Sequence, residues 1–355
     1  MKKQLKSTLA IALAALALAA PAEAAGLKKI AEIAIPGAPI SAFGTIYIDQ
    51  GTGRGYLADK DNKAIDVIDT DTDRYLTRIT GFVGTGKSGD TSGPNGFLTV
   101  GGEGWSGDGD STVKVIDLKS GTITDTIATG GNRRIGELAY DSKNHIVIAA
   151  NQNDQIPFLT LISTAKGHKI LARIPVRGAI NGLERSAYYA PKGKFYTDLP
   201  ELDGAKGRGA LAEIDPVAGK LTRLIALDGC NAHSLAQVSA SRFYVGCNAS
   251  PDKPVGPMAV VDVEMGKLVA LIPGLGGTGQ TAANPKTGQY YAATGNPDGS
   301  TLTIVDIKTT TLVQKIPEAY ASHSLAVSLR NNHVYLPTIA KDGPCGGCIL
   351  VYAPE

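Results

Sequence analysis

Neither sign of charge accumulates in this 355-residue chain, where 35 Lys and Arg stand against 33 Asp and Glu. Bulk electrostatics therefore give no reason to expect a nucleic-acid partner. Aromatics are scarce, at 6%, with a single tryptophan, and only 19% of residues are charged. A 43% apolar fraction excludes intrinsic disorder. No apolar run beyond the N-terminus approaches the roughly 20 residues needed to span a bilayer as a helix. A Gly-x-Ser-x-Gly elbow is missing, and so is a Cys-x-x-Cys-His haem site, which removes the usual signs of a serine hydrolase or a c-type cytochrome. What is plentiful is glycine, 43 residues without the collagen period, among frequent Val, Ile and Thr. That mixture predicts many short strands joined by tight turns.

Residues 1–24 read as a secretory signal peptide. Lys2, Lys3 and Lys6 precede an apolar stretch from Leu9 to Ala20, and Ala22-Glu23-Ala24 supplies the small-residue cleavage site. Its loss would remove three lysines and Glu23, leaving 25–355 with equal numbers of acidic and basic residues. The mature chain is expected to be periplasmic or secreted, in an oxidising compartment, with no membrane span after cleavage.

One pattern repeats along 25–355. The signposts are Val67-Ile68-Asp69, Val115-Ile116-Asp117, Leu161-Ile162-Ser163, Glu213-Ile214-Asp215, Val260-Val261-Asp262, Ile304-Val305-Asp306 and Leu350-Val351-Tyr352, about 44–52 residues apart. Each of the first six is followed by a turn and a further strand. The spacing suits four-stranded units that bury both faces against neighbours and close into a ring. An all-β fold is expected, a seven-bladed β-propeller of four-stranded antiparallel blades occupying 25–355 as one domain. The last repeat is one strand short, and Lys29–Ile35 near the N-terminus is expected to complete it.

The local spelling adds a resemblance. His323-Ser324-Leu325-Ala326-Val327, His333-Val334-Tyr335-Leu336, Phe243-Tyr244-Val245-Gly246-Cys247-Asn248 and Lys63-Ala64-Ile65-Asp66-Val67-Ile68-Asp69-Thr70 resemble the YVTN-type repeat of seven-bladed, YncE-like bacterial propellers. The resemblance spans the mature chain and describes a blade rather than an activity. It implies relatives as diverse as surface and periplasmic binding proteins, DNA-binding proteins, lactonases and subunits of quinone-dependent dehydrogenases, among which fold does not choose.

Counting back from each Val-Tyr-Val-Thr-Asn-like strand locates residues at the mouth of the axial channel. They are Gly44 or Phe43, Asn95, Gly136 or Glu137, Glu184, His233, Gly279 or Gln280, and His323. Arg133, Arg134 and Arg185 lie beside these slots, where a guanidinium can hold a carboxylate or phosphate, or pair with a loop acid. The ligand-binding candidates are thus Asn95, Arg134, Glu137, Glu184, Arg185, His233, Gln280 and His323. Two histidines in like surroundings, with Glu184, offer three ligands for a divalent metal ion. The competing reading is that a wet channel mouth simply needs polar caps. Asp59, Asn151, Asp198, Asn248 and Asn296, expected in loops leaving the innermost strands, suit turn-capping. Of Tyr188 and Tyr189, one is expected between blades and the other toward the channel.

Several spellings mislead. Gly81–Ser88 matches a nucleotide-binding loop, but Gly89-Asp90-Thr91-Ser92-Gly93-Pro94 starts no stable helix to hold phosphate. Asp108-Gly109-Asp110-Ser111 lacks the later ligands of a calcium loop and reads as a hairpin turn. The span 81–110, with Trp105, reads as a lid or partner-contact region. Four cysteines allow three pairings, of which the local ones, Cys230 with Cys247 and Cys345 with Cys348, are preferred.

The sequence thus points to an exported, monomeric binding protein or scaffold whose funnel holds a small molecule, a metal ion or a segment of a periplasmic partner, with no residue assigned to covalent catalysis. Two alternatives remain: a metal-dependent lactonase or lyase using Glu184, His233 and His323, and a propeller subunit of a quinone-linked dehydrogenase.

Overall fold

The repeated aspartate explains the architecture. In a computed structural model, which describes residues 25–248, 256–276, 279–294, 300–318, 323–340 and 345–355, each such aspartate ends the third strand of a blade and organises the turn that follows. Asp69 Oδ1 accepts the amides of Asp71 and Thr72 at 2.8 and 3.1 Å. Asp117 does the same for Lys119 and Ser120, and Asp215 for Val217 and Ala218, all at 2.9 Å. These amide bonds hold the Asp117 and Asp215 carboxyls below the usual carboxylate range. Four residues after each aspartate the backbone turns left-handed. Gly121 and Gly219 accept this freely, with φ of 68° and 63°, whereas Asp73 and Thr310 adopt it without the freedom of glycine.

The third strands are Ala64–Asp69, Thr112–Asp117, Phe158–Ser163, Arg208–Asp215, Met258–Asp262, Ser300–Asp306 and Cys348–Pro354. They read as nearly unbroken apolar runs because a neighbouring blade covers each face. Outer strands alternate instead; Arg74–Thr80 and Thr122–Ala128 expose every second side chain or nearly so. In blades one to six the pairing of third and outer strand slips by one residue at the same place, as between Val67 and Ile68 or Ile304 and Val305. A bulge of this kind adds local twist.

Seven four-stranded antiparallel sheets result, arranged as a seven-bladed propeller. The innermost strands are Phe43–Asp49, Phe97–Val100, Leu138–Asp141, Ser186–Tyr189, Ala232–Gln237, Thr281–Asn284 and Ala326–Val327. The last blade takes its outer strand, Leu27–Ala34, from the N-terminus, in register from Leu27 opposite Pro354 to Ala34 opposite Cys348. This strand carries its own bulge between Lys29 and Ala31, so it plays the outer-strand part in full. No helix among the described residues is long and apolar enough to cross a membrane.

Both local disulfides form, Cys230–Cys247 across the hairpin of blade five and Cys345–Cys348 within blade seven, a pattern that fits an exported protein. The first closes a 17-residue separation at the inner end of the blade. Replacing both partners with serine is expected to lower the free energy of unfolding by about 3 kcal/mol. Denaturant titration checks this; a loss under about 0.5 kcal/mol would show that the hairpin closes equally well without the link.

The span 81–110 is not one lid. It contains the first two strands of blade two, and Trp105 is fully buried with its ring edge on His168. The loop before those strands is pinned by Asp90, which receives Arg133, the Asn153 amide at 2.6 Å and the Arg134 backbone amide at 2.6 Å. Residues 108–111 form a hairpin turn, as expected.

Candidate functional site

Inner strands of neighbouring blades meet so closely that the chain there has little room for side chains. A Cβ on Gly44 would sit 2.4 Å from the Asn95 carbonyl oxygen, and one on Gly279 would sit 2.2 Å from that of His323. The space is used for blade-to-blade hydrogen bonds: Thr45 N to Asn95 O at 2.9 Å, Gly96 N to Gly136 O at 3.0 Å, and Gln280 N to His323 O at 2.8 Å. Ile46 N donates to Ser324 Oγ at 2.9 Å across the junction of the first and last blades. Glycine in one slot and a large polar residue in the next are two halves of one joint.

All eight candidate residues border a single cavity of about 200 Å³ at the channel mouth: Asn95, Arg134, Glu137, Glu184, Arg185, His233, Gln280 and His323. Lys60, Gln152 and Thr45 join them. Thr45, Glu137, Arg185 and Gln280 also border a second cavity of about 280 Å³ between the inner strands, with Tyr47, Thr99 and Tyr140. These four residues form the waist of the bore.

The two halves of the wall are held differently. Arg185 is committed: with the Gln280 amide oriented to match donors with acceptors, its Oε1 accepts both guanidinium nitrogens at 2.9 and 3.0 Å. The Arg185 backbone amide donates to Asp198 Oδ1, and Asp198 N returns a bond to Arg185 O at 3.0 Å. His233 Nδ1 lies 3.5 Å from Glu184 Oε1 and 3.2 Å from Asn248 Nδ2. His323 is open to the bore, yet protein crowds its other sides and its ring stacks on Phe43 at 4.3 Å. Desolvation lowers both imidazoles to about 4, so both are neutral at pH 7. Burial raises Glu137, pushes Glu184 well up with Asp198 adding to it, and moves Asp198 to about 8.

Glu184, His233 and His323 border one cavity without forming one ligand set. No group of three or more His, Cys, Asp or Glu side chains among the described residues is placed to hold a metal ion. His323 gives its ring face to Phe43, while His233 faces Glu184 and Asn248. The donor set therefore does not fit the expected metal.

The capping residues sit one strand further out than expected. Asp59, Asn151 and Asp198 lie at the ends of second strands, not innermost ones, and Asn248 follows such a strand. Asp59 receives the Asn62 amide groups at 3.0 and 2.6 Å, and Asn151 joins Ser111 to Thr129. Asn296 lies outside the described residues. Neither tyrosine borders the bore cavities: Tyr189 packs on Tyr196 and Phe243, and Tyr188 on Phe195.

Lys60 and Gln152 were missed by counting along inner strands. They follow Asp59 and Asn151 and reach the cavity from the ends of second strands. The only available signal was that position, and blade four puts buried Leu199 there.

The fold and the bore define the class: a seven-bladed propeller with a polar axial funnel. No family model matches the chain and no curated protein matches it. Among solved structures it is similar to Kuenenia stuttgartiensis hydrazine synthase, with a TM-score of 0.70 and 12% identity over 89% of this chain and 96% of that one. At that identity the likeness is one of fold.

Proposed function

We propose that residues 1–24 direct export and are removed, and that 25–355 acts as a single, monomeric periplasmic or secreted propeller that binds a small ligand at its axial funnel, as a YVTN-type binding protein would. The observation that carries this reading is the convergence of long polar side chains from several blades on one cavity of about 200 Å³. A wet mouth needs polar groups, but it does not need two half-buried carboxyls and two imidazoles kept neutral by desolvation on one small cavity. Such groups are costly to bury unless something uses them. The cavity suits a molecule of a few heavy atoms more than a peptide segment. The likeness to hydrazine synthase fits a scaffold or subunit role as well, and binding at the funnel is compatible with it.

The test is a thermal-shift screen of small organic acids, amines and sugars on the mature chain, repeated with His233→Ala and Glu184→Gln. A funnel ligand at 100 times its Kd is expected to add about 2.7 kcal/mol of stability to the wild type and to lose most of that in the two variants. Absence of any shift, or shifts that both variants keep, would overturn the reading.

A further inference from the structure

Resting on the funnel reading, one side chain says more about what the funnel takes. Lys60 is only 7% exposed, yet it borders the cavity and no carboxylate or other acceptor partners its amine among the described residues. Buried lysines are normally paired. Arg134 lines the same cavity; its Nη1 donates to Gly89 O at 3.0 Å while its buried Nε has no partner. Both line the cavity, and the Arg134 charge works against that of the Lys60 amine. Neither lies within ion-pair distance of the cavity's own acids, Glu137 and Glu184, among the described residues.

We propose that the funnel binds a small oxyanion, a carboxylate or a phosphate group, seated between the Lys60 amine and the Arg134 guanidinium. A planar guanidinium and an ammonium make charge-assisted bonds to such a group from two sides. Asn95 and Gln152, on the same cavity, supply neutral amide donors. The cavity's own acids, Glu137 and Glu184, do not oppose it strongly. Burial holds Glu137 and Glu184 toward their protonated, hydrogen-donating forms. Arg185 is already engaged by Gln280 and serves as wall rather than as receptor.

Ligand and proton should arrive together. Burial, with Arg134 adding to it and Asp61 opposing, lowers the Lys60 amine to about 7. At pH 8 it is mostly neutral, and an anion beside it restores the proton. The imidazoles facing it, His233 and His323, are pushed to about 4 and stay neutral. Glu137, Glu184 and, behind Arg185, Asp198 are the other groups able to take up protons, so Lys60→Met separates their share from that of the amine.

Isothermal titration of the mature chain with inorganic phosphate and with oxalate, at pH 8 in buffers of different ionisation enthalpy, tests the proposal. One or both anions should bind saturably with proton uptake. Lys60→Met should weaken binding about 10- to 100-fold and remove most of the uptake, and Arg134→Gln should weaken binding similarly. Preference for phosphate or for oxalate identifies the head group. Binding of neither anion, or unchanged affinity in Lys60→Met, overturns the proposal. If a sugar or an amine occupies the funnel in a manner sensitive to His233→Ala while both anions fail, the funnel reading stands and the anion site falls.

Discussion

Lys60→Met is expected to make the free protein more stable, and the gain is expected to depend on pH. The side chain is only 7% exposed, and no acceptor hydrogen-bonds its amine among the described residues. Folding strips much of its hydration, and the nearby Asp61 returns only part of that cost. The folded amine titrates at about 7 against 10.5 when free. Below about pH 7 it is charged in both states, and the wild type carries the full cost. From there to about pH 10.5 the unfolded chain binds more protons than the folded one, so wild-type stability climbs with pH. Above that, both states are neutral and the cost vanishes. Methionine, of similar length and uncharged, should therefore add a few kcal/mol at pH 6–7, since each unit of displacement corresponds to about 1.4 kcal/mol. The advantage should shrink steadily toward pH 10. Urea titrations at pH 6, 8 and 10 read this directly. A variant less stable than wild type, or a gain equal at all three values, would mean that the amine has a partner or full hydration in the folded protein.

This expected trade, stability surrendered at a position where we propose an anion binds, falls on a residue that the amino-acid order did not mark. The ring was legible because the same physics recurs at every blade. A third strand covered on both faces reads as an apolar run, and its closing aspartate is needed by the turn amides wherever it stands. Where Ser163 replaces that aspartate, its hydroxyl still accepts the Ala165 amide, at 3.2 Å, so the pattern degrades without breaking. The inner-strand slots inherit that periodicity, which is why counting from the repeats reached Asn95, Glu137, Glu184, His233, Gln280 and His323. The glycine alternatives at Gly44 and Gly279 are the places where a neighbouring blade presses too close for a side chain, and at Gly136 the Gln152 side chain of the same blade fills the space.

Counting fails where the blades differ. Lys60 and Gln152 occupy a position that Leu199 fills with core in another blade, so no repeat marks it. Neither is a shared cavity evidence of shared ligation. His233 and His323 have nearly the same flanking residues, but Phe43 lies against only one of them, and that contact comes from a neighbouring blade. Local spelling carries no information about which ring will be stacked and which will face a carboxylate.

Removing residues 25–35 is expected to abolish the cooperatively folded monomer. The strand Leu27–Ala34 buries Leu27 and Ile33 to 2% and 3% exposure, each contributing roughly 1.5–3 kcal/mol, and it pairs along the whole of Cys348–Pro354. A domain has about 5–15 kcal/mol in total, so the loss takes a large share of it. The exposed edge of Cys348–Pro354 would then invite pairing with other chains. Circular dichroism melts and size-exclusion chromatography of the truncated chain should show a broad, early transition and association. The control lies in the register. Leu27 stands opposite Pro354, and Glu355 N donates to Gly26 O at 3.0 Å, so the same segment placed after Glu355 through a short turn can re-enter its position as the second arm of a hairpin. That rearranged chain should recover a single transition and a monomeric profile. If the truncated chain melts like the full one, the ring is closed by contacts between blades and not by the strand. If the rearranged chain fails where the original folds, the segment acts through its place at the start of the chain rather than through the pairing that closes the last blade.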